Sequence, residues 1–319
     1  MSPNTGSKTL WAELLPYEFK QRMEECPVVY LPLGLCEPHG QVSALGLDTL
    51  KAEWLCRKAA ERTGGIVAPS MGYHIHETGY HAGWLEQTVG EQQPPMTSIP
   101  PDIMLAFFLY QLRSFANAGF KAVVVVSGHS GGNQEDLRQA AALFMKHVPV
   151  TVWVRSDPEL VEGLFEGDHA GKYELSQLMF IRPDLVDPAA RRYEGLPGYG
   201  GRLAIGHDAH EADAERGRAI LEACLTGLCA EVSRIKREVK QAGKADAVSH
   251  STVRAIWSEL LQSADRWVTA SPWSGQEAVS ERSIWKPYEY YRIQREGNQD
   301  CDADAGETAR PHNKGEAVL

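Results

Sequence analysis

Residues 121–128, KAVVVVSG, carry four consecutive valines closed by a glycine. A strand with one wet face alternates apolar and polar residues, so a run without alternation must be covered on both faces. The same kind of run recurs. PVVYLPLG (27–34) reads as a buried strand, GIVAPS (65–70) as a short one and VPVTVWV (148–154) as another. Between them lie helical patterns: TLKAEWLCRKAAERTG (49–64) ended by Gly64, residues 99–120 with a proline-then-acid start and a glycine near the end, and QEDLRQAAALFMKH (134–147). Apolar strands alternating with helices predict a mainly parallel sheet covered by helices on both faces. In such sheets ligands sit beyond the carboxyl ends of the strands.

Polar clusters fall at those ends. Glu37-Pro38-His39 follows the first strand directly, and Asp48 stands eleven residues after Glu37. Positions i and i+2 of an extended segment face the same side, so Glu37 and His39 can converge, and Asp48 joins them if the intervening loop folds back. Together with His129, which follows the valine strand, they supply the imidazole and carboxylate donors that a borderline divalent ion takes. The competing reading is a solvated polar loop. The turn SGHSGGN (127–133) is glycine-rich, as phosphate-binding turns are, but it matches neither G-x-G-x-x-G nor the P-loop and no lysine follows. His129 at its centre favours a metal or catalytic role. In GDHAGKYELS (167–176), Glu174 falls in the first turn of a short helix running to about Phe180. It either interacts with the helix macrodipole or, with His169, faces a cleft as part of a proton-donor and ligand pair.

The rest of the chain limits the partners. Its 319 residues are 43% hydrophobic, enough for a full core, and a formal net charge of −10 argues against nucleic acid or an anionic membrane surface. A small molecule is the expected partner. The six cysteines form no Cys-x-x-Cys pair, and no apolar segment long enough to span a membrane or act as a signal core occurs, so a soluble, cytoplasmic protein is expected. Residues 212–240 form an amphipathic helix with Ile220, Cys224, Leu228, Val232, Ile235 and Val239 on one stripe, making Cys224 and Cys229 core residues. Three regions are expected: a catalytic domain over 1–245, an aromatic-rich ordered extension over 246–296, and a loose acidic tail over 297–319.

The three clusters resemble the motifs of the creatininase (creatinine amidohydrolase) family, which run roughly E-Q-H-G with a following T-D, N-G-H-G-G-N, and H-A-G-x-x-E-T-S. Here they stand as Glu37-Pro38-His39-Gly40 with Leu47-Asp48, as residues 127–133, and as His169-Ala170-Gly171-Lys172-Tyr173-Glu174-Leu175-Ser176. The resemblance covers roughly residues 25–240. It implies a three-layer α/β/α sandwich, often a homohexamer, with one or two divalent ions of zinc, manganese or iron. It implies Glu37, His39, Asp48 and His129 as ligands with Asp48 as bridge, His169 as acid or base, and Glu174 as second-metal ligand or catalytic neighbour. The activity implied is hydrolysis of a small polar carbonyl compound, a cyclic amide or formamide. The alternatives are C–C ring opening of a keto-inositol-like polyol and keto-sugar isomerisation.

Departures bear on substrate. Gly131 stands where creatininases proper carry a glutamate ligand, Ser130 lengthens the glycine motif by one residue, and the stretch between His129 and His169 holds one tryptophan, Trp153. Creatinine is therefore not the expected substrate. Residues 72–90 align loosely with a family pattern whose glutamate falls on Glu77, while His76, His81 and Trp84 are particular to this chain. His76, Glu77, Trp84 and Ser130 are candidate substrate contacts, and a polar loop here suits a hydroxyl-bearing substrate; the other reading places His74, His76 and His81 on an exposed loop. His207 and His210 are expected to be structural.

Overall fold

The structure is a computed structural model and describes residues 8–89, 95–196, 204–239 and 246–270, with 272, 275, 276 and 279. In chain order its elements are α1 (Pro16–Glu25), β1 (Val28–Leu33), α2 (Leu47–Thr63), β2 (Ile66–Val67), β3 (His74–Ile75), α3 (Tyr80–Thr88), β4 (Ser98–Ile99), α4 (Pro101–Ala118), β5 (Ala122–Ser127), α5 (Asn133–His147), β6 (Thr151–Ser156), α6 (Lys172–Ile181), α7 (Ala214–Val239) and α8 (His250–Leu261). Short 3-10 turns link several of them.

The sheet has the order β2-β1-β5-β6 and every pairing in it is parallel. All six residues of β1 and all six of β5 are buried, as unalternating strands must be when both faces are covered. One face carries Val28, Tyr30, Val124 and Val126 into a core with Leu55 and Cys56 of α2 and with Ile220, Cys224, Leu228, Val232 and Ile235 of α7. Because side chains alternate, Val29, Leu31, Val123 and Val125 point the other way, toward the layer to which α5 belongs. The result is the expected three-layer α/β/α sandwich. A second, two-stranded parallel sheet pairs β3 with β4.

The crossover through α2 carries the chain from β1 to β2 on one side, and the crossover through α5 carries it from β5 to β6 on the other. A crevice opens at the carboxyl ends of β1 and β5, where the strand order reverses. Gly128 lets α2 reach it. A Cβ there would lie 2.0 Å from the Asp48 carbonyl oxygen, so only glycine allows the first turn of α2 to seat against the end of β5.

Several expectations are corrected. Asp48 is not held by a folded-back loop but sits in the first turn of α2, where the macrodipole favours a carboxylate. The last strand begins at Thr151 rather than Val148, because Val148 caps α5 and its carbonyl accepts from Val150 N at 2.8 Å. That strand also alternates in burial. Of the two readings of His74, His76 and His81, the one beside the site rather than on an exposed loop fits their burial. His207 and His210 are both exposed.

Of the aromatic extension, α8 packs on α4 and α5, and Trp267 is wholly buried with its ring centroid 6.0 Å from that of Trp257. Asp136 of α5 ties the segment down, accepting from Val268 N and Thr269 N, both at 2.9 Å, and from Thr269 Oγ1 at 2.6 Å. Trp273, Trp285, Tyr288, Tyr290, Tyr291 and the 297–319 tail lie outside the described residues. Among the described residues no helix is long and apolar enough to cross a membrane. Trp267→Ala should cost about 3–5 kcal/mol, the usual penalty for emptying a buried indole site. Urea denaturation of the full chain measures it, and a change below about 1 kcal/mol would show that the extension contributes little to the core.

Candidate metal centre

The end of β1 runs into an irregular segment whose side chains turn inward, so that Glu37 and His39 are buried. The Nδ1 of His39 lies 3.0 Å from the Glu37 carbonyl oxygen. A carbonyl only accepts, so Nδ1 carries a proton and Nε2 is the nitrogen that can ligate an ion. That nitrogen faces two carboxylates, Asp48 Oδ1 and Glu174 Oε2, each at 3.3 Å. Across the crevice, His129 Nδ1 is 2.8 Å from Glu37 Oε1 and 3.3 Å from Asp48 Oδ2. Asp48 therefore offers one oxygen to each imidazole.

Glu174 is placed by the start of α6. Asp168 accepts from Gly171 N, Tyr173 N and Glu174 N at 3.2, 2.7 and 3.3 Å, which fixes the first turn. Ala170 N in turn donates to Glu174 Oε2 at 2.9 Å. Between these anchors His169 stacks on His39, with ring centroids 4.8 Å apart, and its Nε2 lies 3.1 Å from the Pro38 carbonyl oxygen. By the same logic as for His39, Nε2 holds the proton and Nδ1 is free to accept one.

The charges explain why the site wants a cation. Four carboxylates, Glu37, Asp48, Asp157 and Glu174, are buried here against one ammonium, Lys51. Burial opposes charge on His129, yet Glu37 and Asp48 outweigh it and push its pKa up to about 10. His39 behaves alike: burial opposes its charge, and Asp48 and Glu174 hold it well above the usual range. Burial disfavours the Glu174 carboxylate too, but Lys51 and His39 keep it well below the usual carboxylate range. Both oxygens of Asp48 and Nε2 of His39 are buried without a hydrogen-bond partner. Orphaned acceptors around excess negative charge fit a divalent ion, and the N and O donor set suits zinc or manganese.

Comparison with known proteins agrees with this geometry. Residues 12–232 match the family model described as creatininase, creatinine amidohydrolase. The chain belongs to the creatininase family. It is 28% identical to creatinine amidohydrolase of Pseudomonas putida over 248 residues, 68% of this chain and 92% of that one. It is also 28% identical to the mycofactocin precursor peptide peptidase of Mycolicibacterium smegmatis over 231 residues, 66% of this chain and 85% of that one. A solved structure described as "Creatininase Mn" covers 72% of this chain and 99% of its own, with a TM-score of 0.60 at 23% identity, and shows the same fold. The protein is a hydrolase of this family.

In this creatininase-family chain the structure brings together Glu37, His39, Asp48, His129 and Glu174, with His169 stacked against them. Of the candidate substrate contacts, His76 is drawn in, its Nε2 3.2 Å from Glu37 Oε2. Trp84 presents an edge-to-face contact to His169 at 5.0 Å and lies 6.0 Å from His76. Ser130 is partly buried beside His129. Glu77 is not brought in; it accepts from Ser98 Oγ of β4.

Sequence reading missed Lys51 and Asp157. Lys51 Nζ lies 2.6 Å from Glu174 Oε1 and 3.3 Å from Asp157 Oδ1. Burial opposes its charge, but Asp157 and Glu174 keep its pKa raised, while burial pushes Asp157 up to about 6 against the pull of Lys51. Lys51→Met should leave Glu174 and Asp157 buried without their counter-ion and destabilise the chelator-treated protein by about 3–5 kcal/mol. Chemical denaturation reads it, and an unchanged midpoint would show that the ammonium does not hold this carboxylate pair.

Proposed function

We propose that this hydrolase works with two divalent ions held by Glu37, His39, Asp48, His129 and Glu174, and that its substrate is a small polar carbonyl compound, a cyclic amide or a formamide, other than creatinine. Asp48 carries the reading: its two buried oxygens face two different imidazoles, as a bridging carboxylate requires. Bound divalent ions would polarise the substrate carbonyl and lower the pKa of water.

The chain's own residues then divide the remaining work. His169 is partly exposed and keeps its Nε2 proton on the Pro38 carbonyl, so its Nδ1 takes a proton from water and returns it to the departing atom. Stacking on His39 holds the ring in that orientation. Glu174 stays ionised beside Lys51 and serves as ligand and catalytic neighbour. Trp84 walls the side of His169, while Ser130 offers a polar contact to substrate. Glu77, bound to Ser98 of β4, takes no part in this work.

Asp48→Ala should abolish stoichiometric metal binding together with activity. His169→Ala should keep metal and fold but lose turnover by about 10²-fold or more, the usual scale for a general acid or base. Elemental analysis with assays on a panel of cyclic amides and formamides separates the two. Loss of metal from His169→Ala would make His169 a ligand and overturn the assignment. Reaction in 18O-labelled water should leave one labelled oxygen in the product; hydrogen exchange without oxygen incorporation would favour an isomerase instead.

A further inference from the structure

The motif residues do not account for all the histidines at the centre. His81 stands in the first turn of α3, its N–H donating to the Thr78 carbonyl at 3.1 Å. Its ring centroid lies 4.4 Å from that of His76 and 5.9 Å from that of His129, and the rings of His76 and His129 are 5.1 Å apart. All three side chains are at least 95% buried. His81 Nδ1 and both ring nitrogens of His76 have no hydrogen-bond partner, and His129 turns its Nδ1 toward Asp48 beside them.

A buried imidazole nitrogen left unpaired costs about 1–3 kcal/mol. Three such atoms gathered in one place are not explained by packing alone. One donor atom from each of the three histidines lies within 4.8 Å of the others, close enough to share a single ion. The backbone keeps the space open for His81. Gly131 has φ +118°, and a Cβ there would come within 2.8 Å of both His81 Nε2 and Tyr80 Oη. Any larger residue at 131 would displace the His81 ring.

We infer that His76, His81 and His129 form an imidazole-rich metal subsite, beside a carboxylate-rich subsite made by His39, Asp48 and Glu174. This deepens the two-ion reading above and rests on it. The two subsites differ in chemistry. Imidazole suits zinc, whereas carboxylate oxygen also suits manganese, so the histidine subsite selects zinc over manganese more strongly than its neighbour does. His81 and His76 are thereby residues that set which metal the enzyme carries.

The test uses the full-length protein, stripped of metal and dialysed against zinc alone or manganese alone at graded free concentrations. Bound metal is read by mass spectrometry and imidazole number by X-ray absorption at the zinc edge. Wild type should bind zinc in two classes, with about two imidazoles per ion on average: His39 on one ion and the three histidines on the other. His81→Ala, and separately His81→Asn to preserve polar volume, should weaken one zinc class by at least about 10–100-fold, the loss that removal of a mere supporting partner of a ligand already causes, and leave the other unchanged. Manganese at the unaffected class should not move. The double variant His76→Ala/His81→Ala should fall to about one imidazole per ion. Two zinc ions bound with wild-type affinity and imidazole number in all variants would overturn the subsite while leaving the two-ion reading intact. A wild-type protein that binds no zinc would overturn both.

Discussion

Burying four carboxylates beside one lysine is the condition on which the rest of this structure depends. Glu37, Asp48, Asp157 and Glu174 converge from four separate stretches of chain, and Lys51 can neutralise only part of their charge. Like charges in a weakly polarisable interior repel strongly and cannot stay ionised without cations. Protons on His39 and His129 are one answer, which is why both imidazoles have raised pKa values. Divalent ions are the better answer chemically, because each can bind several of these oxygens and imidazole nitrogens at once.

The fold supplies the geometry that makes this charge density possible. A parallel sheet leaves the carboxyl ends of β1 and β5 side by side, and the strand order reverses there, so a crevice opens without any residue being spent to make it. Two helices, α2 and α6, then direct their first turns at the crevice and bring Asp48 and Glu174 to it on the favourable end of each macrodipole. The side chain missing at Gly128 is what permits α2 to come so close. Packing and electrostatics are therefore not separable here: the positions of the charges follow from contacts of the backbone.

Much of this was legible in the residues and some was not, for physical reasons. The valine run of β5 and the apolar run of β1 show no alternation, so burial on both faces followed directly, and the polar residues just past their ends marked the site. The start of β6 was less readable, since residues 148–150 are as apolar as the strand itself and only the Val148 cap on α5 separates them. His74, His76 and His81 could be read as either surface or interior, because a two-residue strand and a helix entered through Gly79 carry no clear periodicity or cap. Lys51 was missed because a lysine within a helical pattern looks like part of a solvated face. Its partners Glu174 and Asp157 are far away in the chain, and only the folded contact shows that the ammonium is interior.

The central claim is that Asp48 stands between two ions. Anomalous diffraction from crystals grown with zinc, recorded on both sides of the zinc absorption edge, tests it directly. Two peaks should appear, one on each side of the Asp48 carboxylate, the first beside His39 and Glu174 and the second beside Glu37 and His129. No peak at this carboxylate, or a single peak that leaves one of its oxygens unliganded, would contradict the account.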